Sequence, residues 1–271
     1  MQDKIYHLLT EEYTITLATT DEDFKIIKSL RKEIFAPKYN LSPEILEEKG
    51  YLFSKDDIQS FNYLLHHNPS NTYVGTVRVF FINDKTPHNR LPMQYDGNVN
   101  DIDHLTQNIP ICEISRLALS NNLPSYCDFS ALQLRTSLTM GLMVAIRLNC
   151  LLYKYTEVFN VMEKSLARIL KRQDASFQVI GKPIEYYGMR IPHSIKRKQL
   201  LHDTEEKGGR ITLFYLKQLC RNSELFWNFI DNNPYLERSD MQLDNICKLL
   251  KENGNNITLS QLLDEDNVLC N

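Results

Sequence analysis

Apolar positions change their spacing along the chain, and each change marks an element. Tyr13-Thr14-Ile15-Thr16-Leu17-Ala18 alternates with period two and predicts a strand. Thr20 before Asp21-Glu22-Asp23 is an N-cap followed by acids, and Phe24, Ile27, Leu30 and Ile34 continue at helical spacing. That helix is expected to end before Pro37, and residues 38–60 read as irregular. Phe61–Leu65 and Tyr73–Ile82 are strand-like runs around the turn Asn68-Pro69-Ser70-Asn71, which predicts a hairpin. Residues 84–110 are polar, contain three prolines and form the longest predicted loop. Ile111–Leu119 reads as a third strand, Ser130–Leu148 as a helix, Cys150–Tyr155 as a short strand and Met162–Lys171 as a helix. Phe177–Ile180 and Ile184–Arg190 read as late strands. After Pro192 the pattern is helical, with Phe214, Leu216, Leu219, Leu225, Trp227 and Phe229 as its apolar stock. The order predicts an α/β (α+β layered) fold on a mixed sheet over residues 1–192, followed by a helical extension over 193–271.

Composition narrows the function classes. The 271 residues carry 31 basic and 34 acidic side chains, net −3, which speaks against a general nucleic-acid binder. No apolar run reaches the roughly 18 residues needed to span a bilayer. The amino end lacks a signal peptide's basic start and apolar core, so a cytoplasmic protein is expected. The six cysteines have no zinc-ligand spacing and read as small buried hydrophobes in a reducing compartment. Charge is uneven: residues 1–60 hold 8 basic and 12 acidic groups, net −4, and residues 124–192 hold 9 and 5, net +4. One region suits a cation and the other an acidic partner.

The third strand is the most unusual segment. Cys112-Glu113-Ile114-Ser115-Arg116-Leu117-Ala118 sets charges among apolar neighbours, where an unpartnered charge costs several kcal/mol. Glu113 and Arg116 are therefore paired or face a cleft. Arg78 repeats the theme in the otherwise apolar strand after Gly75, a position that permits close approach by a ligand or a backbone. Arg31 lies on the first predicted helix near Leu30 and Phe35. The chain has no phosphate loop, dinucleotide glycine fingerprint or nucleophile elbow. No metal site is expected. His66-His67 and Lys196-Arg197-Lys198 read as surface runs.

Leu30-Arg31-Lys32-Glu33-Ile34-Phe35, Asp57, Val74-Gly75-Thr76-Val77-Arg78 and Glu113-Ile114-Ser115-Arg116-Leu117-Ala118 together resemble the acyl-homoserine lactone synthases. The resemblance is closer to their relatives, the N-acyl amino acid synthases and the acyltransferases associated with the PEP-CTERM/exosortase system, whose late tract is similar to residues 180–192. It covers roughly residues 12–192 and implies a GCN5-related N-acyltransferase (GNAT) fold, with a mainly antiparallel twisted sheet between helices. Ser54 stands where a first acidic position is usual, Tyr39 replaces a Trp, and Tyr187 stands where relatives often carry His. These departures point away from S-adenosylmethionine and lactone formation. The glycine loop that cradles a pyrophosphate is missing, because residues 117–139 contain no glycine.

The resemblance implies transfer of a medium- or long-chain acyl group from an acyl carrier protein thioester to the amine of an amino acid or similar small molecule. Glu113 would be the base, with Ser115 and Arg116 beside it, and backbone N–H groups near Leu117 and Ala118 would hold the carbonyl oxygen. Arg78 would orient Glu113 or bind the acceptor carboxylate, while Arg31, Phe35, Tyr39 and Asp57 would line the acceptor mouth. Met140, Leu142, Met143 and Ile146 would line an acyl channel, which reaches peripheral contact with lipid product. Lys164, Arg168, Lys171 and Arg172 would dock the acidic carrier protein. Two alternatives are an acetyl-CoA-dependent acetyltransferase and a catalytically degenerate lipid- or partner-binding module.

Overall fold

In a computed structural model the described residues are all except 1, 88, 100, 101, 105, 108, 174, 187, 204–207, 254–257, 260 and 263–271. The chain forms two compact units, one of residues 1–80 and 114–145, the other of residues 81–113 and 146–271. Residues 193–271 group with 81–113 and 146–192 in the second of these units.

The first unit opens with α1 (Gln2–His7), a π-helical turn over Leu8–Glu12, and β1 (Tyr13–Leu17). α2 (Asp21–Tyr39) starts at a capping box, in which Asp23 N–H donates to Thr20 Oγ1 and Thr20 N–H donates back to Asp23 Oδ2. It does not end before Pro37 as expected. Pro37 sits in its last turn, and the helix closes at Asn40, which takes a left-handed φ of 51° and donates its N–H to Ala36 C=O. Residues 38–60 are not irregular either. They contain α3 (Pro43–Glu48), entered through the Ser42-Pro43 start, and α4 (Lys55–Gln59). β2 (Phe61–His67) and β3 (Thr72–Ile82) form the expected antiparallel hairpin, and β1 pairs with β2. β4 (Ile111–Leu119) follows β3, giving the order β1-β2-β3-β4. Gly75 is needed for packing: a Cβ there would stand 2.8 Å from a Leu119 methyl and 3.2 Å from Ala118 C=O, so of the two expected close approaches it is the neighbouring backbone that occurs.

The second unit holds the ends of β3 and β4, the short α5 (Pro92–Tyr95), and the end of α6 (Ala131–Leu152), which runs through both units. The expected strand at Cys150–Tyr155 is wrong: α6 continues to Leu152, and the strand is β5 (Glu157–Met162). Thr156 N–H donates to Pro110 C=O at 2.7 Å, which aligns the starts of β4 and β5 as parallel neighbours joined by the α6 crossover. α7 (Lys164–Arg172), β6 (Gln178–Val179), β7 (Ile184–Glu185) and β8 (Met189–Lys196) complete the order β4-β5-β8-β6, with β7 on β8. Eight strands thus make the mixed, mainly antiparallel sheet with helices that the GNAT-type α/β class requires.

α8 (Arg197–Asp203), α9 (Arg210–Arg221), α10 (Glu224–Asn232) and α11 (Leu243–Asn253) follow. Cys220 on α9 is disulfide-bonded to Cys247 on α11, which corrects the reading of all cysteines as unpaired hydrophobes. Cys112 and Cys150 are buried and free, Cys127 is exposed and free, and Cys270 lies outside the described residues. His67 is buried rather than a surface residue, between Ser70 Oγ at 2.6 Å and Tyr126 Oη at 2.7 Å. Arg197 is also buried and donates from Nε to Cys150 C=O.

Candidate active site

In the first unit four elements bring three arginines and two aspartates together. Arg31 comes from the buried side of α2, where period 3.6 sets it beside Ile27, Leu30, Ile34 and Phe35. Its guanidinium is fully buried. Nη1 donates to Asp57 Oδ1 at 2.7 Å and to Leu52 C=O at 3.1 Å, and Nη2 donates to Asn62 Oδ1 at 3.2 Å. Burial, reinforced by the like charges of Arg116 and Arg78 and opposed by Asp57, pushes its pKa down to about 10, so it stays charged at neutral pH.

Asp57 is held from both sides. Its second oxygen accepts the Ser54 N–H at 2.9 Å and lies 3.6 Å from Arg78 Nη1. Burial alone would raise its pKa, but the charges of Arg31 and Arg78 and these hydrogen bonds outweigh it and hold the carboxyl below the usual range. Arg78 on β3 donates from Nε to Ser115 Oγ at 3.0 Å and lies 3.8 Å from Asp56 Oδ2. Ser54, noted in the sequence for not being acidic, orients Asp57 and accepts from Arg78 Nη1 at 3.4 Å. Phe35 is buried and its ring lies 5.5 Å from that of the half-buried Tyr39.

Arg116 is the strained point. Its φ is +55° within β4, a left-handed conformation that an L side chain adopts at a cost of about 1–3 kcal/mol when the surroundings hold it. What holds it is its own side chain: the guanidinium lies 4.6 Å over the Tyr51 ring and Nη2 donates to Gly50 C=O at 3.2 Å. Just past the strand, Ser120 N–H donates to Val74 C=O at 2.8 Å. Arg116 has no carboxylate partner among the described residues, so Asp56 and Asp57 leave one positive charge of the three uncompensated.

In the second unit Glu113 is buried on β4, and its Oε2 accepts the Met93 N–H at the start of α5 at 2.7 Å. On α6, Met140, Leu142 and Met143 in the first unit's part and Ile146 in the second unit's part are all buried. Leu142 packs under Gly75, with a methyl 3.4 Å from the position of a Cβ there. Lys164, Arg168, Lys171 and Arg172 are all exposed on α7. Lys164, Arg168 and Lys171 make no ion pair among the described residues. Tyr187 lies outside the described residues.

The α6 amino end accepts its own side chains. Ser130 N–H donates to Gln133 Oε1 at 2.8 Å and Gln133 N–H donates to Ser130 Oγ at 3.3 Å. Sequence reasoning missed Tyr51, Asp56, Asn62 and Met93. Asn62 was findable, as a carboxamide inside an apolar strand; Met93 was not, because its contribution is a backbone N–H.

No cluster of His, Cys, Asp and Glu suited to a metal occurs among the described residues, and no helix among them is long and apolar enough to cross a membrane. A family model described as autoinducer synthase matches residues 16–192. A search of curated proteins gave no match. Among solved structures the chain is similar to FeeM, an N-acyl amino acid synthase from uncultured soil microbes, at 11% identity, 71% coverage of this chain, 94% of that chain and TM-score 0.48. It is similar to the AHL synthase LasI at 13% identity, 68% and 90% coverage and TM-score 0.46. It is also similar to a putative N-acetyltransferase from Lactobacillus plantarum at 12% identity, 69% and 99% coverage and TM-score 0.45.

Proposed function

The chain belongs to the autoinducer synthase family and is an acyltransferase, and from that premise we propose that it moves a fatty acyl group from an acyl carrier protein thioester to the amine of a small carboxylate-bearing acceptor, an amino acid or close relative. The observation that carries the acceptor class is the uncompensated Arg116. A planar guanidinium held by Tyr51 and Gly50 beside the Arg31–Asp57–Arg78 network is a ready partner for an acceptor carboxylate. Glu113 takes the proton that the nitrogen loses as it bonds to the thioester carbon, and backbone N–H groups near Leu117 and Ala118 stabilise the developing oxyanion. The buried α6 residues Met140, Leu142, Met143 and Ile146 accept the acyl tail.

Two observations support a carrier protein over coenzyme A. The α6 amino end spends its N-cap hydrogen bonds on Ser130 and Gln133 rather than offering a glycine-framed cradle to a pyrophosphate. The exposed cations of α7 suit an acidic surface.

The test supplies the purified chain with palmitoyl-carrier protein or palmitoyl-CoA and an equimolar set of amino acids, followed by mass spectrometry for N-acyl amides. Amide formation from the carrier thioester is expected. Arg116→Ala is expected to raise the acceptor KM at least tenfold while leaving the thioester KM unchanged. Efficient turnover of acetyl-CoA instead would favour the acetyltransferase reading, and no amide from any thioester would reject both.

A further inference from the structure

In the second unit a buried hydrogen-bond acceptor without a described partner, Asn160 Oδ1, shares a strand pair with a histidine. In the antiparallel register of β5 and β8, Asn160 stands directly opposite His193, so both side chains leave the same face of the sheet. Asn160 Oδ1 is buried and has no hydrogen-bond partner among the described residues. His193 is 4% exposed, and its Nδ1 lies 2.7 Å from Ile191 C=O. A carbonyl only accepts, so Nδ1 carries the hydrogen and Nε2 carries a lone pair. Burial outweighs that hydrogen bond and holds the ring's pKa below its ordinary value, so the imidazole is neutral at neutral pH. An unpaired Oδ1 with a histidine that carries a lone pair across the ladder from it suits a ligand rich in N–H donors.

The same face extends to Glu113. Counting along the parallel ladder from the Thr156–Pro110 bond sets Glu113 beside Val158, hence on the face of Val158, Asn160 and Met162. Opposite them on β8 are Ile195, His193 and Ile191. Lys196 and Arg190 belong to the alternate face, so β4, β5 and β8 supply this face with acceptors and one carboxylate but no cation. That pattern repels an anion and leaves a carbonyl without a donor. It matches a primary ammonium, which brings three donors and a positive charge.

We propose that Asn160 and His193 form the ammonium site of the amine acceptor, and that His193 Nε2 removes the proton that makes the amine a nucleophile. The inference rests on the aminolysis reading above and supplies a step that reading lacks. An amine reaches the enzyme as R–NH3+, which has no lone pair, and Glu113 acts only on the proton lost during attack. Nε2 takes one proton from the ammonium and passes it to water. The freed lone pair forms the C–N bond, and the C–S bond breaks with its electron pair going to sulfur. The second proton shed by nitrogen, through Glu113, ends on the departing thiol.

The test has two readouts on the full chain. In the first, 15N-histidine NMR follows His193 during titration with octylammonium or octanoate. Octylammonium is expected to shift Nε2, octanoate is not, and Asn160→Leu is expected to weaken the response at least tenfold. No response, or an equal response to both probes, overturns the site.

In the second, thioester aminolysis is measured with an amino acid and with hydroxylamine, which is already unprotonated at neutral pH. His193→Gln is expected to lower kcat for the amino acid by roughly 10²-fold or more with the thioester KM unchanged, and to leave the hydroxylamine reaction within a few-fold. An equal loss with both nucleophiles overturns the proton-transfer role. An octylammonium response in a chain that aminolyses no thioester would reject the aminolysis reading and leave the cation site standing.

Discussion

Asp57 ties the buried arginine cluster of the first unit together, and its ionisation contributes to stability. Its carboxylate is fully buried between Arg31 and Arg78, so replacing it with a neutral side chain strands two buried cations. Asp57→Asn is expected to cost about 3–5 kcal/mol, the range for breaking one side of a buried pair. The pH dependence follows from the direction of the shift. The folded pKa lies below the unfolded one, so the contribution is fully present above about pH 4 and disappears as pH falls through the folded value. Thermal melts of wild type and Asp57→Asn should therefore differ most near pH 6 and converge toward pH 2. A constant gap across that range would assign the network another origin. Arg31 works in the opposite sense, since its folded pKa is lowered: its burial weakens the fold at neutral pH, and Asp57 offsets that cost.

At the scale of elements the disulfide is the clearest lever. Cys220 and Cys247 are 27 residues apart and join α9 to α11, so closing that loop removes roughly 3 kcal/mol of unfolded-state entropy. Cys220→Ala with Cys247→Ala, or reduction by dithiothreitol, is expected to lower Tm by several degrees, and an unchanged melt would mean that the thiols are not joined in solution. The sequence did not reveal this pair, because cysteines on two helices meet only after the helices pack. The hairpin, α2 and α7 were legible, since each carries a clean period and a turn or cap, and β4 was legible as an apolar run despite its charges. The α6–β5 boundary was not. Asn149-Cys150-Leu151-Leu152 is apolar on nearly every side because α6 is buried all round there, and a buried helix and a buried strand look alike in periodicity. α3 was announced by Ser42-Pro43 and overlooked beside Gly50. Arg31, Arg78 and Arg116 could be picked out as charges among apolar neighbours, whereas Asp57, in the polar run Lys55-Asp56-Asp57, was singled out only by the family resemblance. The left-handed turn at Arg116 could not, because Tyr51 and Gly50 impose it from elsewhere in the chain.

α7 offers a separable test of partner choice. Arg168→Glu with Arg172→Glu reverses charge on an exposed surface and should leave the melt unchanged while raising the KM for the carrier thioester. The penalty should shrink as salt increases from 50 to about 300 mM, because screening removes what the reversal inverts. Equal carrier KM values at low salt would move docking elsewhere.

Over the whole molecule, the open question is whether the residues beyond the family match form an appendage or part of the fold. In the second unit they close hydrogen bonds that nothing else there replaces. Gln242 N–H donates to Leu152 C=O at 2.8 Å, Met241 bridges Tyr153, and Asn83 Nδ2 donates to Tyr235 C=O at 2.9 Å. Buried Leu200, Leu201, Leu216, Ile230 and Leu243 belong to the same stretch. A chain ending at residue 192 would also lose His193, Ser194, Ile195 and Lys196, four of the six β8 residues paired with β5. Exposing that much apolar surface and that many backbone groups should abolish a cooperative thermal transition rather than trim an activity. The comparison is between chains ending at 192 and at 262, by calorimetry and dye binding. A sharp transition with normal enthalpy in the shorter chain would show the helices to be a dispensable cover, whereas its loss would make them the last layer of the acyltransferase core.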